Sequence, residues 1–337
     1  MGDYIAIHTK CFKNAGFACK SGMYVCNECA DNVESRYTPF PSTEISDHSD
    51  KFYDNNACED MMIKSYSTML SNCQRYNKTE LVNAIQHLEC DGKSPSKNLL
   101  SSFFYNIDGN ATNFDQFLVE LKQLDHSFHV IGLAETNVDS PLQDLYQIPN
   151  YTSYYQSTLE GKTKGTGVAL YFSDNLNVEI LDKISYCNPD IESLFAEVTT
   201  ASGGKLVYGV LYRPPNGSSD RFFETFDTIM SQLKGKKVHL LGDFNSDLLS
   251  SAPNTQLFED VVYRNGLYPT ISIATHFRQH CKSSCIDNIL TNDIDNVLMS
   301  GVIEERIGDH SPLRDLTAGH KSDYASLLDT CRTGDSG

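Results

Sequence analysis

The chain of 337 residues lacks any apolar run of membrane-spanning length. Its first residues, MGDYIAIHTKCF, also lack the long apolar core of a secretory signal. Position six is Ala6 and not Ser or Thr, so the N-myristoylation pattern is missing too. Basic residues are in short supply: 27 Lys and Arg stand against 44 Asp and Glu, a net charge of −17. That balance excludes a broadly basic coat for nucleic acid. A local basic groove is still compatible with it, because phosphate contact depends on where the cations sit. An acidic chain is also rich in the carboxylates that hold divalent metals. There is no internal repeat and no low-complexity tract. Eleven cysteines, an odd number without an export signal, read as free thiols in a reducing compartment, nucleus or cytoplasm. The length allows one large domain with a small appendage.

What is present is organised around KVHLLGDFNSDL, residues 237–248. Val238, His239, Leu240 and Leu241 form a short apolar run, read as a buried strand. It stops at Gly242, Asp243, Phe244 and Asn245, which places a carboxylate and a carboxamide at the carboxyl edge of a sheet, where α/β proteins tend to bind ligands. Gly, Asp and Asn are also ordinary turn residues, so the rest of the chain has to decide between the two readings.

Before residue 98 the chain is polar and irregular. Residues 1–30 carry His8, Cys11, Cys19, Cys26 and Cys29, with His-x2-Cys and Cys-x2-Cys at zinc-ligand spacing. The stretch resembles the second half of a PHD finger, and in that family His8 and Cys11 complete one zinc site while Cys26 and Cys29 complete another. The preceding Cys-x2-Cys pairs are absent, so each site keeps two ligands where a structural zinc needs four. A single closed Zn²⁺ site from His8, Cys11, Cys26 and Cys29 is one reading; a remnant with free thiols is the favoured one. Residues 31–97 read as linker. Within it, Met62, Tyr66, Met69 and Cys73 fall at helical steps, and Thr79 stands where it would cap a second helix carrying Leu81, Ile85 and Leu88. Such stripes serve packing or a protein partner.

From residue 98 onward apolar strands alternate with amphipathic helices. Strands are expected at 99–105, 130–134, 168–172, 194–198, 206–212, 238–241 and 285–290, and helices at 113–124, 222–233 and 256–265. Strand after strand ends in polar groups: Asn106 and Asp108, Glu135, Tyr212 and Arg213, Asp243 and Asn245. The pattern predicts a layered α/β sandwich, two mixed β-sheets flanked by helices.

The motifs YNIDGN, AETN, GTGVALY, YRPPN, GDFNSD, THFR, CIDNIL and GDHSPL appear in that order over residues 98–313. In this they resemble the endonuclease/exonuclease/phosphatase superfamily, with its deoxyribonuclease-like fold. YRPPN and the wording around GDFNSD look most like the endonuclease domain of non-LTR retrotransposons. Ala134 stands where repair-type abasic endonucleases carry Gln. The resemblance implies a Mg²⁺- or Mn²⁺-dependent phosphodiester hydrolase acting on DNA. It implies Glu135 as principal metal ligand, assisted by Asp108 and Asp309, and Asp243 as the base for the attacking water. It further implies Asn106 and Asn245 on phosphate or water, His310 on the scissile phosphate with Asp287 behind it, and Tyr212 donating to the same oxygens. Asp108 also reads as a plain turn residue before Gly109, and Tyr212 as a strand-end aromatic. Lys162, Lys164, Arg213, Arg278 and Lys282 flank motif loops and are the candidates for DNA backbone contact. His8, His87 and His239 match no motif and read as structural or solvated.

Residues 314–320 are too polar for the apolar strand that closes the family's fold, so the expectation is a short or missing last strand. The domain is thus drawn as 98–316, with a polar tail at 317–337. The absence of a reverse transcriptase reads as a gene fragment or a stand-alone derivative. Two rivals remain: a phosphodiesterase or phosphatase for a small phosphorylated substrate, and a non-catalytic interaction protein.

Overall fold

The computed structural model describes residues 17–20, 23–26, 70, 73–90, 99–156, 158–200, 203–279, 281–304 and 308–318, the first two stretches by backbone alone. The chain divides into two units, 1–67 and 68–337. In the first, β1 (Phe17–Lys20) pairs antiparallel with β2 (Met23–Cys26), Phe17 opposite Cys26. Beyond the backbone of Cys26, the zinc candidates His8, Cys11, Cys26 and Cys29 lie outside the described residues, as do Met62, Tyr66 and Met69.

Among the elements described in the second unit, the first are β3 (Gln74–Tyr76) and α1 (Lys78–Cys90). Then come β4 (Leu99–Asn106), α2 (Asn110–Gln123), β5 (Val130–Ala134), β6 (Tyr151–Gln156), β7 (Val168–Ser173), β8 (Asn177–Ile180), β9 (Cys187–Asn188), β10 (Ile191–Thr199) and β11 (Lys205–Tyr212). The chain continues through α3 (Ser219–Gln232), β12 (Lys237–Asp243), α4 (Pro253–Arg264), β13 (Tyr268–Pro269), β14 (Asp287–Thr291), β15 (Val297–Ile303) and β16 (Leu313–Ala318). One sheet runs β3-β15-β16-β4-β5-β7-β6 and the other β13-β14-β12-β11-β10-β8, with β9 on β10. Both are mixed: β3–β15, β4–β5 and β11–β12 are parallel pairs and the rest antiparallel.

The strands buried on both faces read as continuous apolar runs for that reason. Between the sheets lie Phe104, Val130, Leu170, Val210, Leu241 and Ile289. On the outer face of the second sheet, α3 and α4 bury Phe222, Phe226, Ile229, Phe258 and Val261. The five buried apolar residues of α3 alone (Phe222, Phe223, Phe226, Ile229, Met230) represent roughly 10 kcal/mol of gross burial free energy. On the outer face of the first sheet, α1 and α2 bury Leu81, Ile85, Phe114 and Phe117. The result is helix, sheet, sheet, helix, the layered sandwich expected.

Three features differ from the sequence reading. Residues 73–90, read as linker, supply a sheet strand and a helix on the core; only Leu81, Ile85 and their neighbours made that helix visible. Its cap is Asn77 and not Thr79: Asn77 Oδ1 accepts from the Glu80 N–H (2.9 Å) while Glu80 Oε2 accepts from the Asn77 N–H (3.1 Å), a reciprocal capping box. The last strand is neither lost nor at an edge. β16 runs through Arg314, Asp315 and Thr317 to Ala318 and sits between β15 and β4. Its polar residues are buried because distant groups meet them: the Arg314 guanidinium lies 4.4 Å over the Tyr76 ring, Asp315 accepts from Ser102 Oγ, and Thr317 Oγ1 donates to the Leu100 carbonyl.

Candidate active site

The register of the sheets aligns the strand ends. Tyr212 pairs with Asp243 across β11–β12, and Asp243 with Asp287 across β12–β14. In the other sheet, Asn106 pairs with Ala134, the residue before Glu135. Asn106 then joins the two sheets: Nδ2 donates to Glu135 Oε1 (3.0 Å) and to Asp243 Oδ2 (2.9 Å). Its two hydrogens have two acceptors, so Asn106 locks the acids together and has no N–H left for phosphate, contrary to the role expected from the sequence. Asn245 is only partly committed. Its backbone N–H donates to Asp243 Oδ1 (2.9 Å) and one Nδ2 hydrogen to the Arg213 carbonyl (2.8 Å), which leaves the second Nδ2 hydrogen and the carboxamide oxygen for phosphate or water.

Asp243 is buried, and its pKa is pushed up to about 7. Burial is the main cause, and the Asp287 charge adds to it; His310 and the Asn245 N–H work in the opposite direction. His310 Nδ1 bonds Asp287 Oδ2 at 2.9 Å and Oδ1 at 3.1 Å. Burial would lower the imidazole pKa, but the Asp287 charge and hydrogen bond outweigh it and hold the value up to about 9. At neutral pH this imidazole is therefore a cation. Burial, then the Glu135 and Asp243 charges, drive the Tyr212 phenol well upward, so it stays a donor.

The loops around this group are held in uncommon backbone. Asp108, Glu135, Asn137 and Asn245 all have positive φ, between 46° and 53°. Gly165 and Gly167 (φ 62° and 86°) let the 158–167 loop close over the cleft; a Cβ on Gly167 would stand 2.5 Å from Thr136 Oγ1. Glu192, which the sequence analysis did not single out, fixes that loop from below. It is fully buried and accepts from Thr166 Oγ1 (2.7 Å) and the Gly167 N–H. His276 was missed too, although THFR was noted: its ring lies 4.6 Å from that of His310, and its Nδ1 is 3.2 Å from Ser284 Oγ.

The remaining candidates are peripheral. Asp108 is exposed on the rim, its N–H donating to Asn106 Oδ1 (3.1 Å). Asp309 is exposed, its carboxylate 3.6 Å from Arg278 Nε. Lys164 and Lys282 are exposed and Lys162 half-buried. Arg213 differs from those lysines. Its guanidinium is buried, donating to the carbonyls of Phe244 and Asn245 (3.3 Å each), to Ser246 Oγ (3.0 Å) and to Ser219 Oγ (2.7 Å), so it pins the 244–246 loop.

The donor set fits a hard divalent cation: carboxylate oxygens on Glu135, Asp243 and Asp287 crowd one cleft. Atoms of Asp243, Asp287 and His310 lie within 4.8 Å of one another; of these the carboxylates have lone pairs to offer a metal, and the His310 imidazolium has none. Burial raises the Asp243 pKa most, and the Asp287 and Glu135 charges add to it; a cation beside these carboxylates would favour their ionised forms.

The sequence matches the endonuclease/exonuclease/phosphatase family over residues 103–310. No curated protein matches it significantly. Among solved structures, the endonuclease domain of TRAS1, a telomere-specific non-LTR retrotransposon, is similar at 13% identity, with a TM-score of 0.53 over 66% of this chain and 99% of that one. A family protein from Bacteroides thetaiotaomicron is similar at 15% identity and TM-score 0.51, over 66% and 98% of the two chains. One from Bacteroides vulgatus gives 16% and 0.51, over 65% and 99%. No helix among the described residues is long and apolar enough to cross a membrane. A family match across most of the second unit, on a sandwich whose strand ends gather three carboxylates and a histidine, makes this chain a member of the endonuclease/exonuclease/phosphatase family.

Proposed function

We propose that the chain is a Mg²⁺-dependent endonuclease that nicks DNA. The observation that supports this most is the Asn106 bridge from Glu135 to Asp243, with the His310–Asp287 pair on the adjoining strand. The cleft thereby joins a base, a cation and a carboxylate from both sheets. The retrotransposon-like wording of YRPPN and GDFNSD favours DNA over small phosphorylated molecules, as does the fold shared with the TRAS1 endonuclease domain.

Glu135 would hold the metal, assisted by Asp108 on the rim and by Asp309, directly or through water. A bound Mg²⁺ supplies charge neutralisation on the phosphate and stabilisation of the leaving oxygen. Asp243 takes the proton of the attacking water, its raised pKa matching a base that works near neutrality. His310, held as imidazolium in one orientation by Asp287, donates to the non-bridging phosphate oxygen as charge builds there. Tyr212 donates to the same oxygens. Asn106 keeps Glu135 and Asp243 at fixed separation, so little reorganisation accompanies the attack.

The test is nicking of supercoiled plasmid by the full chain with Mg²⁺, with chelator, and with Glu135→Ala. Nicking that needs Mg²⁺ and vanishes in the variant is expected. Hydrolysis of a small phosphomonoester without nicking would move the same chemistry to a phosphatase, and no hydrolysis of either would leave an interaction protein.

A further inference from the structure

The segment that holds His310 and Asp287 in place is 274–277, and it holds them by several routes. The Ser311 N–H donates to the Thr275 carbonyl (2.7 Å), and the Phe277 N–H donates to the Asp309 carbonyl (2.7 Å). These bonds fix the chain on both sides of His310. The Asp287 N–H donates to Thr275 Oγ1 (3.2 Å), so the same segment also fixes the carboxylate partner. The His276 ring packs against that of His310. Thr275 is fully buried, as a group serving two neighbours at once has to be.

This segment is in turn anchored from outside residues 103–310, the part the family shares. Arg75, in β3, donates from Nη2 to the Ala274 carbonyl at 2.7 Å, and its guanidinium lies 5.0 Å from the centre of the Phe277 ring. One contact grips each end of the segment, and the side chain reaches it across 199 positions of sequence. A planar cation is suited to both, since it donates in its plane and stacks on its face.

We propose that Arg75 is a positioning residue for the His310–Asp287 pair, so that strand β3 is part of the active-site support as well as of the sheet. The inference rests on the hydrolase reading of that pair. Arg75 is separable from the fold around it. β3 joins β15 through backbone register, Gly301 with Gln74, Val302 with Arg75 and Ile303 with Tyr76. The apolar anchorage comes from Tyr76, Leu81 and Ile85. Truncating Arg75 therefore leaves strand and helix in place and frees only the 274–277 segment.

The experiment compares Arg75→Ala and Arg75→Lys in the full chain by amide hydrogen exchange, thermal melting and nicking kinetics. Loss of a charge-assisted hydrogen bond from a part-buried site predicts roughly ten- to hundredfold faster exchange at the Phe277 and Ser311 amides in Arg75→Ala. The amides of β4 and β5 should be unchanged. Arg75→Lys keeps a donor but loses the flat cation, and should fall between. In nicking, kcat should drop about tenfold with KM held, because reacting groups shift while the DNA-contacting surface does not. Wild-type exchange at Phe277 and Ser311 in Arg75→Ala overturns the proposal. So does faster exchange throughout with a lowered melting point, which would make Arg75 a fold residue only. A wild-type chain that nicks nothing defeats the hydrolase reading, and the exchange rates still decide the anchor.

Discussion

Among the described residues of the second unit, two histidine–aspartate pairs differ in what surrounds them. His310 and Asp287 stand at strand ends, 2.9 Å apart, with 13% of the histidine side chain open to the cleft. His239 and Asp315 lie mid-strand between the two sheets, 3.4 Å apart, at 0% and 1% exposure. The first histidine has a carboxylate on Nδ1 and a ring partly open at the strand ends. The second stacks on Tyr208 at 5.3 Å, in a site that no substrate reaches. The same two side chains thus give a hydrogen-bonded, charge-holding device at an edge and, in the interior, a buried close approach across the sheets with no hydrogen bond between them. Position along the strand, not residue type, separates them.

That contrast can be tested by breaking each pair. The largest effect belongs to the cleft: Asp243→Asn, which removes the base served by the first pair, should slow nicking about 10²–10⁴-fold with the melting point held within a few degrees. Near wild-type nicking would remove Asp243 from the mechanism. His310→Gln should cost about 10²–10³-fold. It should also change the pH profile. Wild-type activity is expected to rise as Asp243 loses its proton through about 7 and to fall as His310 loses its own through about 9. The variant should keep the acid limb and lose the alkaline one; a profile unchanged above pH 8 to 9 would contradict the assignment. The sign carries over to stability. Because folding raises the His310 pKa above 6.5, its stabilisation is complete below that pH and gone above about 9, so wild type should lose its stability margin over His310→Gln across that interval.

The interior pair should behave oppositely. Asp315→Ala leaves buried Ser102 without its acceptor and should destabilise by about 1–3 kcal/mol, measured by chemical denaturation, while activity per folded molecule stays at wild type. Reduced kcat in the folded variant would tie the interior to the cleft. The smallest effect is at the rim: Lys164→Gln should weaken binding to any DNA sequence alike and reduce the salt slope by about one, and an unchanged slope would place Lys164 off the DNA path.

Much of the fold was legible because β5 is apolar throughout and β4, β7 and β12 are largely so, and a strand buried on both faces has no regular polar alternation to disguise it. The cleft was legible because its groups follow those strands directly. What stayed hidden depends on partners remote in sequence. β16 looked too polar for a strand until Ser102 and Tyr76 are seen beside Asp315 and Arg314. Arg213 looked like a phosphate ligand because its acceptors, the carbonyls of Phe244 and Asn245, carry no sequence signature. Asn106 looked free for substrate because a carboxamide's commitments are visible only in three dimensions. His276 and Arg75 act through a segment, not through the cleft itself, so nothing in their local spacing marks them.

The slot filled by β16 lies between β4, near the start of the domain, and β15, near its end. A ribosome making this protein would release some two hundred residues with that slot vacant, leaving the edges of Phe103 and Gly301 without their ladder until Arg314 emerges. A stop codon ahead of Leu313 would then split the first sheet down its middle instead of trimming its margin. Nascent chains stalled there should be sticky and quickly degraded, even with every residue of the cleft already synthesised.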